Sequence, residues 1–148
     1  MGRFVRVAVW LVVVVVVVAG LVWGGAALYR HRVYGTVVTD SQQNVTVAVG
    51  DRFSLAVPDR GASVGDFWSA QPDTGNLLSP QGSRTRRSSL LDRVRAPLIG
   101  GGQGTTFFLY DATAAGTTKV TLSNCFQGCD NPATTAESRS ITWTITVG

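Results

Sequence analysis

Two hydrophobic patterns divide this chain. From Val7 to Leu28 run 22 residues without a charge, seven of them consecutive valines, Val12 to Val18. From Asn44 onward the apolar positions alternate with polar ones in short stretches separated by turn residues, the period of half-buried strands. Asn44–Val49 alternates, and Gly50-Asp51 supplies a turn. Arg52–Val57 follows with Phe53, Leu55 and Val57 on one face. Pro58–Gly65 reads as loop from its proline, glycine and aspartate content. Phe67 and Trp68 begin another strand, which stops at Pro72-Asp73-Thr74-Gly75. Ser79–Arg95 is a polar, arginine-bearing connection, with a short strand or a helical turn at Leu90-Leu91. Thr105–Ala112 and Thr117–Asn124 are strands joined through Ala115-Gly116. In Ser140–Val147 the apolar Ile141, Trp143, Ile145 and Val147 alternate strictly with polar residues.

Six or seven short strands without a soluble helix predict an all-β antiparallel sandwich. The predicted organisation is an N-terminal anchor over residues 1–32, a link over 33–43 and the β domain over 44–148. Antiparallel neighbours reverse direction, so alternate connections gather at one end. Pro58–Gly65, Pro97–Gly104 and Cys125–Glu137 are therefore expected to form one loop edge.

The charges sharpen this division. The formal excess is +4, which on its own would fit a nucleic-acid binder. Arg3, Arg6, Arg30 and Arg32 flank the apolar run, however, and from Val33 onward nine basic residues face nine acidic ones. The body is neutral and the excess lies where a membrane flank carries it, so no nucleic-acid partner is expected. A helix through Val7–Leu28 would span a hydrocarbon core of roughly 30 Å. A cleaved signal peptide is the other reading, with cleavage after Ala27 in Gly24-Gly25-Ala26-Ala27. Signal cores usually run about 7–15 residues, shorter than this one. The expectation is a single-pass lipid anchor holding the C-terminal domain outside the cytoplasm, or a secreted domain if the segment is cleaved.

Candidate chemistry narrows the function further. The single histidine, His31, lies at the membrane boundary, so the body has no base for a Ser-His-Asp or Cys-His mechanism, and no enzyme is expected. Asp73-Thr74-Gly75 matches the D-T-G of aspartic proteases, but Pro72 and Asn76 flank it and it reads as a turn. The glycine run Gly100–Gly104 lacks the Lys-Ser/Thr that a phosphate loop needs. It is either a plain surface loop or a backbone able to lie close against a partner. Arg84, Arg86 and Arg87 read as a solvated connection, and Asn44-Val45-Thr46 is a glycosylation acceptor only in a host that glycosylates. Cys125 and Cys129 are expected to form a local disulfide in an exported body. Zinc would need about four ligands, and the body has no further cysteine or histidine, so neither metal nor cofactor is expected.

The residues Val49-Gly50-Asp51-Arg52-Phe53-Ser54-Leu55, the glycine-rich loop leading to Phe108, Ala115-Gly116-Thr117 and Leu122 resemble the chagasin-like inhibitors of papain-type cysteine proteases. The similarity runs from about Asn44 to Val147. It implies an immunoglobulin-like sandwich from one end of which three loops wedge into a protease cleft, carrying N-P-T-T-G-Y/F, G-x-G-G and R-P-W/F. Ser63-Val64-Gly65-Asp66 stands at the first motif, with Gly65 and Trp68 in agreement and Asp66 in place of the aromatic. Gly101-Gly102-Gln103-Gly104 stands at the second, with Gln103 replacing a glycine. Phe126-Gln127-Gly128, between the cysteines, occupies the third, where R-P-W is absent and Phe126 is the available aromatic.

The expected function is thus a membrane-tethered, extracytoplasmic inhibitor whose Ser63, Val64, Gly65, Asp66, Trp68, Gly101, Gly102, Gln103, Gly104, Phe126, Gln127 and Gly128 occlude a papain-type protease. Alternatively, the same fold serves as a non-inhibitory surface or envelope binding module. Trp68, like Trp143, also fits a place in the core.

Overall fold

The computed structural model describes residues 2–61, 64–71, 76–87, 104–130, 133 and 135–148. The chain divides into two compact units, Met1–Val33 and Tyr34–Gly148.

The first unit is helical. Helix α1 spans Gly2–Tyr34, and its stretch Val9–Tyr34 is long and apolar enough to cross a membrane. Valine is a modest helix former in water because its branched side chain is restricted in χ1. In a bilayer core a helix satisfies every backbone group internally, and that requirement overrides propensity. Twenty-six residues at about 1.5 Å each give ~39 Å, enough for the hydrocarbon layer with tilt. His31 and Arg32 in the last turn face the negative end of the helix dipole.

The second unit is two packed four-stranded sheets. Its strands are β1 (Thr36–Thr39), β2 (Asn44–Val47), β3 (Arg52–Asp59), β4 (Trp68–Ala70), β5 (Leu78–Arg87), β6 (Gly104–Ala112), β7 (Gly116–Asn124) and β8 (Arg139–Val147). One sheet has the order β1-β3-β6-β5, the other β2-β8-β7-β4. The alternation read from Arg52–Val57 and Ser140–Val147 works as expected. Phe53, Leu55 and Val57 from one sheet meet Trp143, Ile145 and Val147 from the other in a single core, with Val120 and Leu122 beside them. Phe53 and Tyr110 sit directly opposite on paired strands with ring centroids 5.6 Å apart. Trp143 is fully buried, and its indole Nε1 donates to the carbonyl of Thr39 at 3.1 Å, tying one sheet to the other.

Three expectations change. The sandwich is mixed, because β1 pairs with β3 and β2 with β8 in parallel. The chain alternates sheets at this point: β1 lies in one, β2 in the other, and β3 returns to the first beside β1 in the same direction. Ser79–Arg95 is not a plain connection, since its first half is the ten-residue edge strand β5, bulged between Pro80 and Ser83. Leu90-Leu91 lies outside the described residues. Residues 33–43, expected as a link, contain β1.

Candidate functional site

Strand register gathers the chain ends that carry the three loops. At the last residue of β3, Asp59 pairs with Gly104, the first residue of β6, and Gly104 pairs on its other side with Arg87, the last of β5. In the second sheet, Trp68 at the start of β4 pairs with Asn124 at the end of β7, which pairs with Arg139 at the start of β8. Hydrogen bonds join the two sets: Trp68 Nε1 donates to the Pro58 carbonyl at 2.9 Å. Each of the three expected loops thus leaves or enters the sandwich at the same end.

Asp59 holds the strand ends of the first sheet together. Its Oδ1 accepts from the amide of Gly61 at 2.7 Å, and its Oδ2 accepts from the hydroxyls of Thr106 at 2.6 Å and Thr85 at 3.4 Å. Gly104 lets β5 and β6 begin their pairing without a clash, for a Cβ there would lie 2.8 Å from the carbonyl oxygen of Arg86.

The first and third loops touch directly. The amide of Gln127 donates to the carbonyl of Gly65 at 2.8 Å, and the amide of Cys125 donates to the carbonyl of Phe67 at 3.3 Å. Gly65 has φ +81° and a Cβ there would lie 2.8 Å from Cγ of Gln127, so both conformation and space require glycine. Cys125 and Cys129 are bonded, with Cα atoms 4.7 Å apart. Within the loop they close, Gln127 has φ 54° and Gly128 φ 106°. Both point into solvent.

Asp66 and Phe126 are placed differently from the other candidates. Asp66, which stands where the resemblance would have an exposed aromatic, is 6% exposed, and Phe126 is 8% exposed. The Asp66 carboxylate accepts from the backbone amide of Arg60 at 2.7 Å and from the side-chain amide of Asn124. Phe126 lies under Arg60, whose guanidinium carbon is 4.0 Å from the ring centroid. A partner therefore meets other apolar groups at this end. Val64 is 42% and Phe67 58% exposed. Phe67 also rims a cleft of about 230 Å³ with Trp68, Thr85, Arg87 and Phe108. Trp68 itself is half-buried against the core, with Arg139 over its ring at 5.3 Å.

Sequence reasoning missed Arg60, Phe67 and Glu137. Arg60 Nη1 donates to Glu137 Oε2 at 2.8 Å, and its Nε is 3.7 Å from Asp66 Oδ2. The Glu137 hydrogen bond, foremost, and the negative charges of Asp66 and Glu137 raise the pKa of the guanidinium above its ordinary value against some desolvation. One signal could have exposed Phe67: it is a large aromatic in a stretch otherwise rich in turn residues. Ser63, Gly101, Gly102 and Gln103 lie outside the described residues.

Among the described residues no group of acidic, histidine and cysteine side chains could hold a metal. The edge is built from backbone, apolar surface and internal ion pairs, an arrangement suited to contact.

No protein-family profile matches the chain, and no curated protein does. Solved structures do. The chain is similar to the cysteine protease inhibitor EhICP2 from Entamoeba histolytica, with TM-score 0.54 and 14% identity over 76% of this chain and 95% of that one. It is similar to amebosin, with TM-score 0.54 and 20% identity over 76% of this chain and 97% of that one. At such identities the likeness is one of fold. The folds it matches are those of chagasin-like cysteine protease inhibitors, the family its residues resemble.

Proposed function

We propose that the body, Tyr34–Gly148, is an immunoglobulin-like inhibitor domain that occludes the cleft of a papain-type cysteine protease, and that α1 tethers it to a membrane on the extracytoplasmic side. The observation that carries this reading is the direct contact of two loops remote in sequence, Gly65 with Gln127, at the end where Gly104 opens β6. A cleft-filling inhibitor needs a rim that is ordered beforehand, because ordering loops on binding subtracts from affinity. It needs apolar anchors at the rim, which Val64 and Phe67 supply. Trp68 stiffens the base of the first loop. Ser63 and the run Gly101, Gly102, Gln103 belong to the proposed surface through their places in the two loops. Asp66 and Phe126 enter it as supports beneath the contact surface. The disulfide confines the third loop, consistent with an oxidising compartment.

The chain works by contact, without catalysis. The test is a titration of the full chain in detergent micelles against a panel of papain-type proteases, with substrate hydrolysis and cleavage of the chain both followed. The expected result is reversible inhibition with the chain left intact. No inhibition across the panel at micromolar concentration would overturn the proposal. That outcome would favour a second reading, an envelope binding module of the same fold. The burial of Asp66 and Phe126 speaks for this alternative, since neither presents an aromatic to a cleft.

A further inference from the structure

We propose that Arg60 is the positioning residue of this edge, a single side chain that sets the arrangement of the loops before a partner arrives. This rests on the contact reading above, although the two can fail separately.

Arg60 follows the last residue of β3 and is joined to three other segments. Its backbone amide donates to Asp66 Oδ2 at 2.7 Å and its Nε approaches the same oxygen at 3.7 Å, which closes the first loop on itself. Its Nη1 reaches Glu137 at 2.8 Å, on the short 3-10 turn Thr135–Glu137 that precedes β8. Its guanidinium carbon lies 4.0 Å from the centroid of the Phe126 ring, a cation–π contact that bears on the cysteine loop. The other carboxylate oxygen of Asp66 takes the Asn124 amide, so the chain of contacts ends on β7. The Gly65–Gln127 and Cys125–Phe67 backbone bonds and the Phe126 amide on Ser138 Oγ at 3.1 Å also link these segments, but Arg60 is the side chain that touches the first loop, the cysteine loop and the 3-10 turn together.

The chemistry requires arginine. A planar fork can stack on a ring while its edges meet two carboxylates, whereas an ammonium can meet the carboxylates only as a point charge. The arrangement also accounts for the burial of Phe126. Its ring serves as a floor for Arg60, which leaves Val64 and Phe67 as the apolar groups at the tip. Without the guanidinium, the cysteine loop would be held to the first loop by its backbone bonds and by the Asn124–Asp66 bond at its base, and the rim would open more readily.

The experiment is amide hydrogen exchange on the full chain in detergent micelles, comparing the native protein with R60A, R60K and E137Q. In R60A the amides of Gln127 and Asp66 should exchange about tenfold faster, the sum of a partly exposed ion pair and a stacked cation. Val120 and Trp143 should keep native protection. R60K, with charge but no stacking plane, should fall between the two, and E137Q should loosen the edge less than R60A. Native protection at Gln127 in R60A would overturn the proposal. So would equal loss at Trp143 and Gln127, which would make Arg60 a general prop of the fold. With an inhibited protease in hand, R60A should slow association, as binding that must first order a surface does. If no protease binds the native chain, the contact reading falls, and exchange alone still decides the role of Arg60.

Discussion

A single added methyl group separates two kinds of glycine in this body. At Gly35, φ is +60° and a Cβ would sit 1.8 Å from the carbonyl oxygen of Arg52, backbone that is itself fixed at the start of β3. At Gly65 the nearest obstruction is Cγ of Gln127 at 2.8 Å, with the Cα and amide nitrogen of that residue at 3.1 and 3.2 Å, so the exposed cysteine loop and not a core strand must give way. Both substitutions by alanine carry the left-handed backbone cost of about 1–2 kcal/mol. G65A should add to that the displacement of Gln127, and loosen the contact between the first and third loops while leaving the strands paired. G35A should cost distinctly more and unpair β1, read as lost amide protection at Val37 and Val38, with chemical denaturation giving the ranking. A second residue-scale prediction concerns Arg52 and Asp111, opposite each other on β3 and β6 and joined by two bonds of 2.7 and 2.9 Å. The Arg52 hydrogen bond, aided by its charge and opposed by desolvation, lowers the pKa of Asp111 below its ordinary value. A depressed folded pKa means the stabilisation is complete above the unfolded value, near 3.9, and disappears as pH falls through the folded one. D111N should therefore destabilise the protein at pH 7, modestly for so exposed a pair, and the difference from native should close as pH falls through the lowered folded value. At this scale the candidate site was only half legible. Gly65 announced itself by being glycine in a loop. Asp66 was placed on the contact surface in the position of an aromatic, because its partners Arg60 and Asn124 become visible only after β3 and β7 converge.

Strands differed in legibility according to how they are buried. β8 buries one face, and β3, though buried at every position from Phe53 to Val57, keeps its large apolar residues on one side with Ser54 and Ala56 on the other. In both strands the apolar residues therefore recur with period two and could be read directly. β5 is an edge strand whose central positions are exposed, and an exposed strand has no apolar period to read. Its proline, bulge and arginines are also the devices by which an edge resists pairing with another chain, and they mimic loop composition. β1 was hidden by brevity: of its four residues only Val38 is buried. The parallel pairings were missed because alternation along a strand is the same whichever way its neighbour runs. The central element of the core is β8, and within it Trp143. W143A should cost about 3–5 kcal/mol, as deletions of large buried aromatics do. W143F should cost less, its loss combining a smaller void with one of the two hydrogen bonds that the Thr39 carbonyl accepts, the Gln42 amide keeping the other. Equilibrium denaturation of the two variants would measure both, and a W143F as damaging as W143A would assign the effect to the hydrogen bond.

For the molecule as a whole, the apolar run and the alternating body were separable by eye, since one pattern suits lipid and the other a water-facing sandwich. If α1 anchors the chain, the full-length protein should stay in the membrane pellet through alkaline carbonate and high salt, and detergent should release it. Recovery in the carbonate supernatant would remove the tether from the proposed function.

The position of β8 has a consequence for how the body is made. Arg139–Val147 lies between β2 and β7 and contributes Trp143, Ile145 and Val147 to the core. During synthesis that strand emerges after every other one, so β2 and β7 have no neighbour to bridge them until then. Topologies dominated by such distant pairings close slowly. A nascent chain therefore remains open between β2 and β7, with the valine and leucine of β7 lacking their β8 neighbours, until that strand has been made; a helper that shields this gap would be needed up to that point and no longer.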